Sequence, residues 1–178
     1  VDVFKQENRG IEAFIEDRLR PAMEEFRKSV NDESTEKLLK AVTNLYEIDK
    51  HYSRKENLLF PYLEQHGITA PPKVMWGVDD EIRALLKDAA KLAAKGTPET
   101  GEKLTEALTR VEEMIFKEEN ILIPMLIETL SAGEWSRVAS ESGEIGYCMI
   151  ATPPVWQASS AATEAPAAPT APVNGSVQ

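Results

Sequence analysis

The sequence holds a single cysteine, Cys148, in 178 residues. An internal disulfide framework is therefore excluded, and the chain reads as a protein of a reducing cytoplasm. Basic charge is scarce: 20 Lys and Arg face 30 Asp and Glu, a formal net charge of −10. A chain this acidic repels phosphate backbones, and with no basic run a nucleic-acid binder is excluded. Long apolar runs are missing too. Ile121–Ile123 and Met125–Ile127, on either side of Pro124, fall far short of a bilayer's thickness. No signal-peptide pattern is legible. A Gly-rich phosphate loop is absent, as is any readable Ser/His/Asp or Cys/His arrangement.

What is present is helical periodicity, with almost no alternation of apolar and polar residues over positions 1–150. A first helix is expected over Val3–Ser29, bent or split by Pro21. A second starts near Ser34 as N-cap and runs to His66, with Gly67 as its stop. After the loop GITAPPK, a third spans Lys73–Lys95 and ends at Gly96. Thr97-Pro98 then pairs an N-cap with a first-turn proline, opening a fourth helix that reaches Leu130. A shorter helix is expected over Gly133–Ser142, anchored by Trp135, and EIGYCMI is expected to fold back onto the rest. Long amphipathic helices with short loops favour an all-α, antiparallel up-down four-helix bundle.

The composition changes at residue 151. Residues 151–178 hold eight Ala, five Pro and one charge, Glu164. So little apolar surface cannot offset the entropy of ordering. The division expected is a helical bundle over 1–150 and a disordered Ala/Pro-rich linker over 151–178, leading to something further in a longer protein.

An internal repeat crosses the bundle. Residues 51–63 (HYSRKENLLFPYL) and 114–126 (MIFKEENILIPML) share Glu56/Glu119, Asn57/Asn120, Leu59/Leu122, Pro61/Pro124 and Leu63/Leu126. A mid-helix proline costs about 3 kcal/mol, so its recurrence at one level is a deliberate feature, and kinks are expected near Pro61 and Pro124. NRGIEAFI at 8–15 echoes DDEIRALL at 79–86 more weakly. The chain thus reads as two helical hairpins related by a pseudo-twofold axis.

Each helix also carries polar residues on its apolar stripe. They are Asn8, then His51 with Lys55, then Asp79, then Glu118, each three or four residues from stripe neighbours. Buried ionisable groups are costly unless paired or metal-bound. His and Glu one turn apart have ligand spacing, but here the pattern is split: His51 is followed by Lys55, and Met114 by Glu118.

HYSRKENLLFPYLEQHG and MIFKEENILIPML resemble the twin H-x-x-x-E segments of hemerythrin-like (HHE cation-binding) domains. With PPKVMWGVDDEIR they are most similar to a bacterial subgroup often found upstream of a PAS sensor domain, over Val3–Ile150. The resemblance implies a four-helix bundle with a non-haem di-iron site. Its ligand positions fall on Asn8, His51, Lys55, Asp79, Met114 and Glu118. His51 and Glu118 match, and Asp79 is a donor though not histidine. Asn8 and Met114 suit hard iron poorly, and the Lys55 ammonium repels a cation. Shifting each pair by one residue recruits Glu56 and Glu119 and requires a π-bulge. The candidate metal residues are therefore His51, Asp79, Glu118, Glu56 and Glu119.

For each of these residues there is a plainer reading. His51 is also readable as a core histidine bonded to Asp79 or Tyr52. Lys55 is readable as a buried partner of Glu118 or Asp79, or as a side chain bent out to solvent. Glu56 and Glu119 are readable as solvated helix-face acids or as partners that hydrogen-bond the ligands. Cys148 has nothing nearby in sequence to lower its pKa. Two functions follow. One is a regulatory or sensory module with mono- or di-iron, sensing O2 or NO and signalling to a downstream domain. The other is a metal-free bundle serving as an interaction or signalling domain. A di-iron oxidase or oxygenase would need more carboxylates than these positions carry.

Overall fold

The computed structural model describes residues 1–154 and 156. Helices dominate, and no strand occurs among the described residues. The expected linker over 151–178 otherwise lies outside them. Among the described residues, no helix is long and apolar enough to cross a membrane.

The chain forms four rods, three of them interrupted by one π-helical turn. In the first, α1 (Asp2–Phe14) continues through a π-turn at Ile15–Leu19 into α2 (Arg20–Lys28). In the second, α3 (Asp32–Leu45) and α4 (Ile48–Arg54) are separated by Tyr46 and Glu47, and a π-turn at Lys55–Leu59 leads into α5 (Phe60–Gln65). The third rod is α6 (Ala70–Ala94). The fourth is α7 (Glu99–Lys117), a π-turn at Glu118–Leu122, and α8 (Ile123–Thr129). A further helix, α9 (Ala132–Ile145), packs on α4 and on the π-turn beside it. The antiparallel bundle expected from the periodicity is therefore present. Its centre is apolar, built from Ile11, Ile15, Leu38, Leu45, Ile82, Leu86, Leu108 and Val111 among others.

Each π-turn ends two residues before a proline. Pro21, Pro61 and Pro124 have no N–H to donate. The residue just before each, Arg20, Phe60 or Ile123, reaches back five positions to the carbonyl of Ile15, Lys55 or Glu118. The expected kinks at Pro61 and Pro124 are thus widened turns that hold one additional residue. At the second π-turn this lets two consecutive side chains, Lys55 and Glu56, both point inward and be buried.

Three helix starts differ from expectation. α6 begins at Ala70, inside the expected loop GITAPPK and three residues before Lys73. Asn31, not Ser34, caps α3: its Oδ1 accepts from the Ser34 N–H at 2.9 Å, while the Ser34 hydroxyl accepts from the Asn31 N–H at 3.0 Å. Ser34 is the far half of a reciprocal capping box. The Thr97 hydroxyl turns back to the Leu92 carbonyl at the end of α6 rather than capping α7. The stops at Gly67 and Gly96 are as expected, both with positive φ.

Asn31→Ala should lower stability by about 1 kcal/mol and Asn31→Gly by only a few tenths, read as shifts in urea midpoint. Equal losses from the two would show that the cap bond is not made in solution.

Candidate functional site: a buried ionic layer

The stripes bring their polar residues to one level of the bundle. Lys55 donates from Nζ to Asp79 Oδ1 at 2.8 Å and to Glu118 Oε1 at 2.7 Å. The other Glu118 oxygen is 2.9 Å from His51 Nε2, and His51 Nδ1 is 3.1 Å from Glu7 Oε2. Glu7 Oε1 accepts from Arg54 Nη1 at 2.5 Å. All six side chains are buried. In order across the bundle they read Asp79, Lys55, Glu118, His51, Glu7, Arg54, with acid and base alternating throughout.

Alternation sets the protonation states. Burial disfavours a charged His51, but Glu118 and Glu7 outweigh it and lift its pKa to about 9. His51 is therefore an imidazolium near neutrality, donating from both nitrogens. Burial likewise opposes the Lys55 charge, and Glu118 and Asp79 outweigh it, so its pKa rises. Burial would push Glu118 up, yet Lys55 and His51 hold it well below the usual carboxylate range. Asp79 behaves differently. Burial lifts it to about 7 against the pull of Lys55, and its Oδ2 is buried without a partner. With Asp79 ionised, three carboxylates meet three cations and the layer is neutral.

The five candidate metal residues separate into two groups. His51, Asp79 and Glu118 stand in the layer around the Lys55 ammonium. Glu56 is buried but turned to Arg83, which grips both its oxygens and also bonds Asp49 and Asp80. Glu119 lies at the bundle's edge with Arg9 at 2.6 Å and the Asn8 amide at 3.3 Å. Among the described residues, no three His, Cys, Asp or Glu side chains are arranged to hold a metal ion. Met114 is core, and Asn8 is buried with its Oδ1 unpartnered.

Some expectations need correction. His51 bonds neither Asp79 nor Tyr52 but Glu7 and Glu118. Lys55 does not bend to solvent; it is fully buried, 4.5 Å from the Tyr52 ring centre. Glu7 and Arg54 were not singled out by the sequence. Glu7 lies three residues after Phe4 and four before Ile11, the same stripe that pointed to Asn8. Arg54 follows His51 by three, beside Lys55. Its guanidinium stacks 4.7 Å from the ring centres of both Phe4 and Tyr147.

A family model described as the hemerythrin HHE cation binding domain matches residues 1–126. The chain belongs to the hemerythrin HHE family. No curated protein matches it. The HHE match ends at Leu126, so α9 and the residues after it lie beyond the matched region. Within the match, the layer occupies the level at which the resemblance puts the cations. The donors present do not fit a di-iron pair, because an ammonium already takes one bond each from Asp79 and Glu118.

Two outcomes test the layer. Lys55→Met should cost about 3–5 kcal/mol in urea unfolding, since it strands Asp79 and Glu118, and Lys55→Met with Glu118→Leu should regain much of it. A double variant no better than the single would show that the pair is not the source of the loss. The second outcome is pH dependence. The folded-state pKa of His51 is raised from 6.5 to about 9, so its contribution is complete below pH 6.5 and lost as pH climbs to about 9. His51→Gln should flatten that alkaline decline in urea midpoint; an unchanged slope would assign the decline to another group.

Proposed function

We propose that this bundle is a regulatory or signalling module in which internal ion pairs take the place of the family's metal charge. The observation that carries the reading is the Lys55 ammonium, fully buried and bonded to both Asp79 and Glu118. Charge arithmetic supports it. With Asp79 ionised, three acids and three bases neutralise one another, so no cation is needed to balance the carboxylates in a low-dielectric interior. Such a module would work through the chain that follows Ile150, passing a signal to a downstream sensor domain in the cytoplasm.

A second reading keeps iron, as an O2 or NO sensor. His51, Asp79 and Glu118 favour it, standing in one layer at positions that the resemblance assigns to ligands. It requires Lys55 to leave the layer.

Metal analysis decides between them. Protein purified from iron-supplemented cells should carry sub-stoichiometric iron, and stoichiometric iron would overturn the metal-free reading. With Asp79 ionised, Lys55→Glu changes the layer's charge from neutral to −2, which one divalent cation would balance. It also restores H-x-x-x-E in the second rod. The variant should take up iron that wild type does not, and should melt higher with added Fe(II). An inert, iron-free Lys55→Glu protein would show that charge alone does not decide occupancy.

A further inference from the structure

The layer does not end at the bundle. After α9, residues Gly146–Ile150 run back over α1 as a strap. Its backbone is bonded directly to the layer. The Cys148 N–H donates to Glu7 Oε1 at 2.7 Å, and Arg54 donates to the Gly146 carbonyl at 3.3 Å. Glu7 is therefore a fork, with one oxygen holding Arg54 and the strap and the other holding His51.

The strap fits because α1 has no side chain beneath it. A Cβ on Gly10 would sit 2.7 Å from the Met149 carbonyl oxygen and 2.8 Å from the Met149 Cβ. Met149 itself has φ +57, a left-handed conformation uncommon for a residue with a side chain. Docking thus holds a strained residue in place, and release relieves that strain.

We propose that the Gly146–Ile150 strap is a latch that docks while the ionic layer is intact and lifts when the layer is disturbed, with Glu7 as the positioning residue. A buried carboxylate persists only with its partners in place. When His51 shifts, Glu7 loses the anchor on Oε2 and is free to rotate so that both oxygens face the Arg54 guanidinium, drawing Oε1 away from the strap. The Cys148 N–H then loses its acceptor, and a buried unpaired N–H is costly enough to favour exposure to water. The strap lies beyond the residues that match the HHE family model. The idea deepens the regulatory reading above, since the strap is where the bundle hands over to the following chain. Its test reads the strap rather than iron, so the two fail separately.

Cys148 supplies the readout. It is the only cysteine, fully buried, and burial pushes its thiol up to about 12. An aromatic disulfide reagent should therefore label the native protein slowly. Gly10→Ala, which blocks the seat without touching the layer, should speed labelling about tenfold or more through local opening. His51→Gln should speed it to a similar extent, although the His51 ring nitrogens bond Glu7 and Glu118 and not the strap. In both variants the rate should be insensitive to low urea, the mark of local rather than global opening. Should His51→Gln not fold, Asp79→Asn at the far end of the layer carries the same test. If Gly10→Ala accelerates labelling but neither layer variant does, packing alone seats the strap and the coupling is wrong. Acceleration that rises with urea as steeply as global unfolding overturns it equally.

Discussion

The structure depends on the bond from the Lys55 ammonium to two carboxylates contributed by two other helices. Asp79 comes from α6 and Glu118 from the π-turn after α7, so one side chain of the second rod fixes the third and fourth at a common level. Apolar side chains can slide past one another at modest cost, whereas a desolvated ion pair moved out of reach exposes the full penalty of each charge. The hydrophobic stripes hold the helices together, and the ionic layer sets their axial register. His51 extends this alignment to the first rod through Glu7.

The π-turns make the layer geometrically accessible. Where Lys55 and Glu56 are consecutive, the wider turn buries both, one facing the centre and the other Arg83. The repeat at Glu118 and Glu119 uses the same device with a different outcome, because Arg9 and Asn8 draw Glu119 to the edge. Pseudo-symmetric backbones thus carry an asymmetric charge pattern. The asymmetry lies in what each rod's neighbour offers: Arg83 beside one repeat, Arg9 beside the other.

Much of this was legible in the sequence. Three- and four-residue spacing located the stripes, and Lys55, Asp79 and Glu118 were visible as polar residues interrupting them. Glu7 was not, because an apolar stripe wide enough to admit Asn8 also admits its neighbour, and spacing alone does not say which carboxylate meets an unseen histidine. The prolines announced a disturbance, but whether a helix kinks or widens depends on which carbonyl the preceding N–H finds. The strap's tie to Glu7 spans 141 positions through one backbone N–H, a contact with no sequence signature.

The strict alternation of charge also bears on the order of assembly. Any odd-numbered run of the six groups carries net charge, so dehydrating the layer piecemeal would pass through uncompensated ions in a forming core. The less costly route collapses the apolar levels first, while these six groups keep their water, and closes them together near the end. Interactions formed that late contribute little to the rate of folding and much to the barrier against unfolding. The layer is therefore expected to govern how long the native bundle persists more than how quickly it forms.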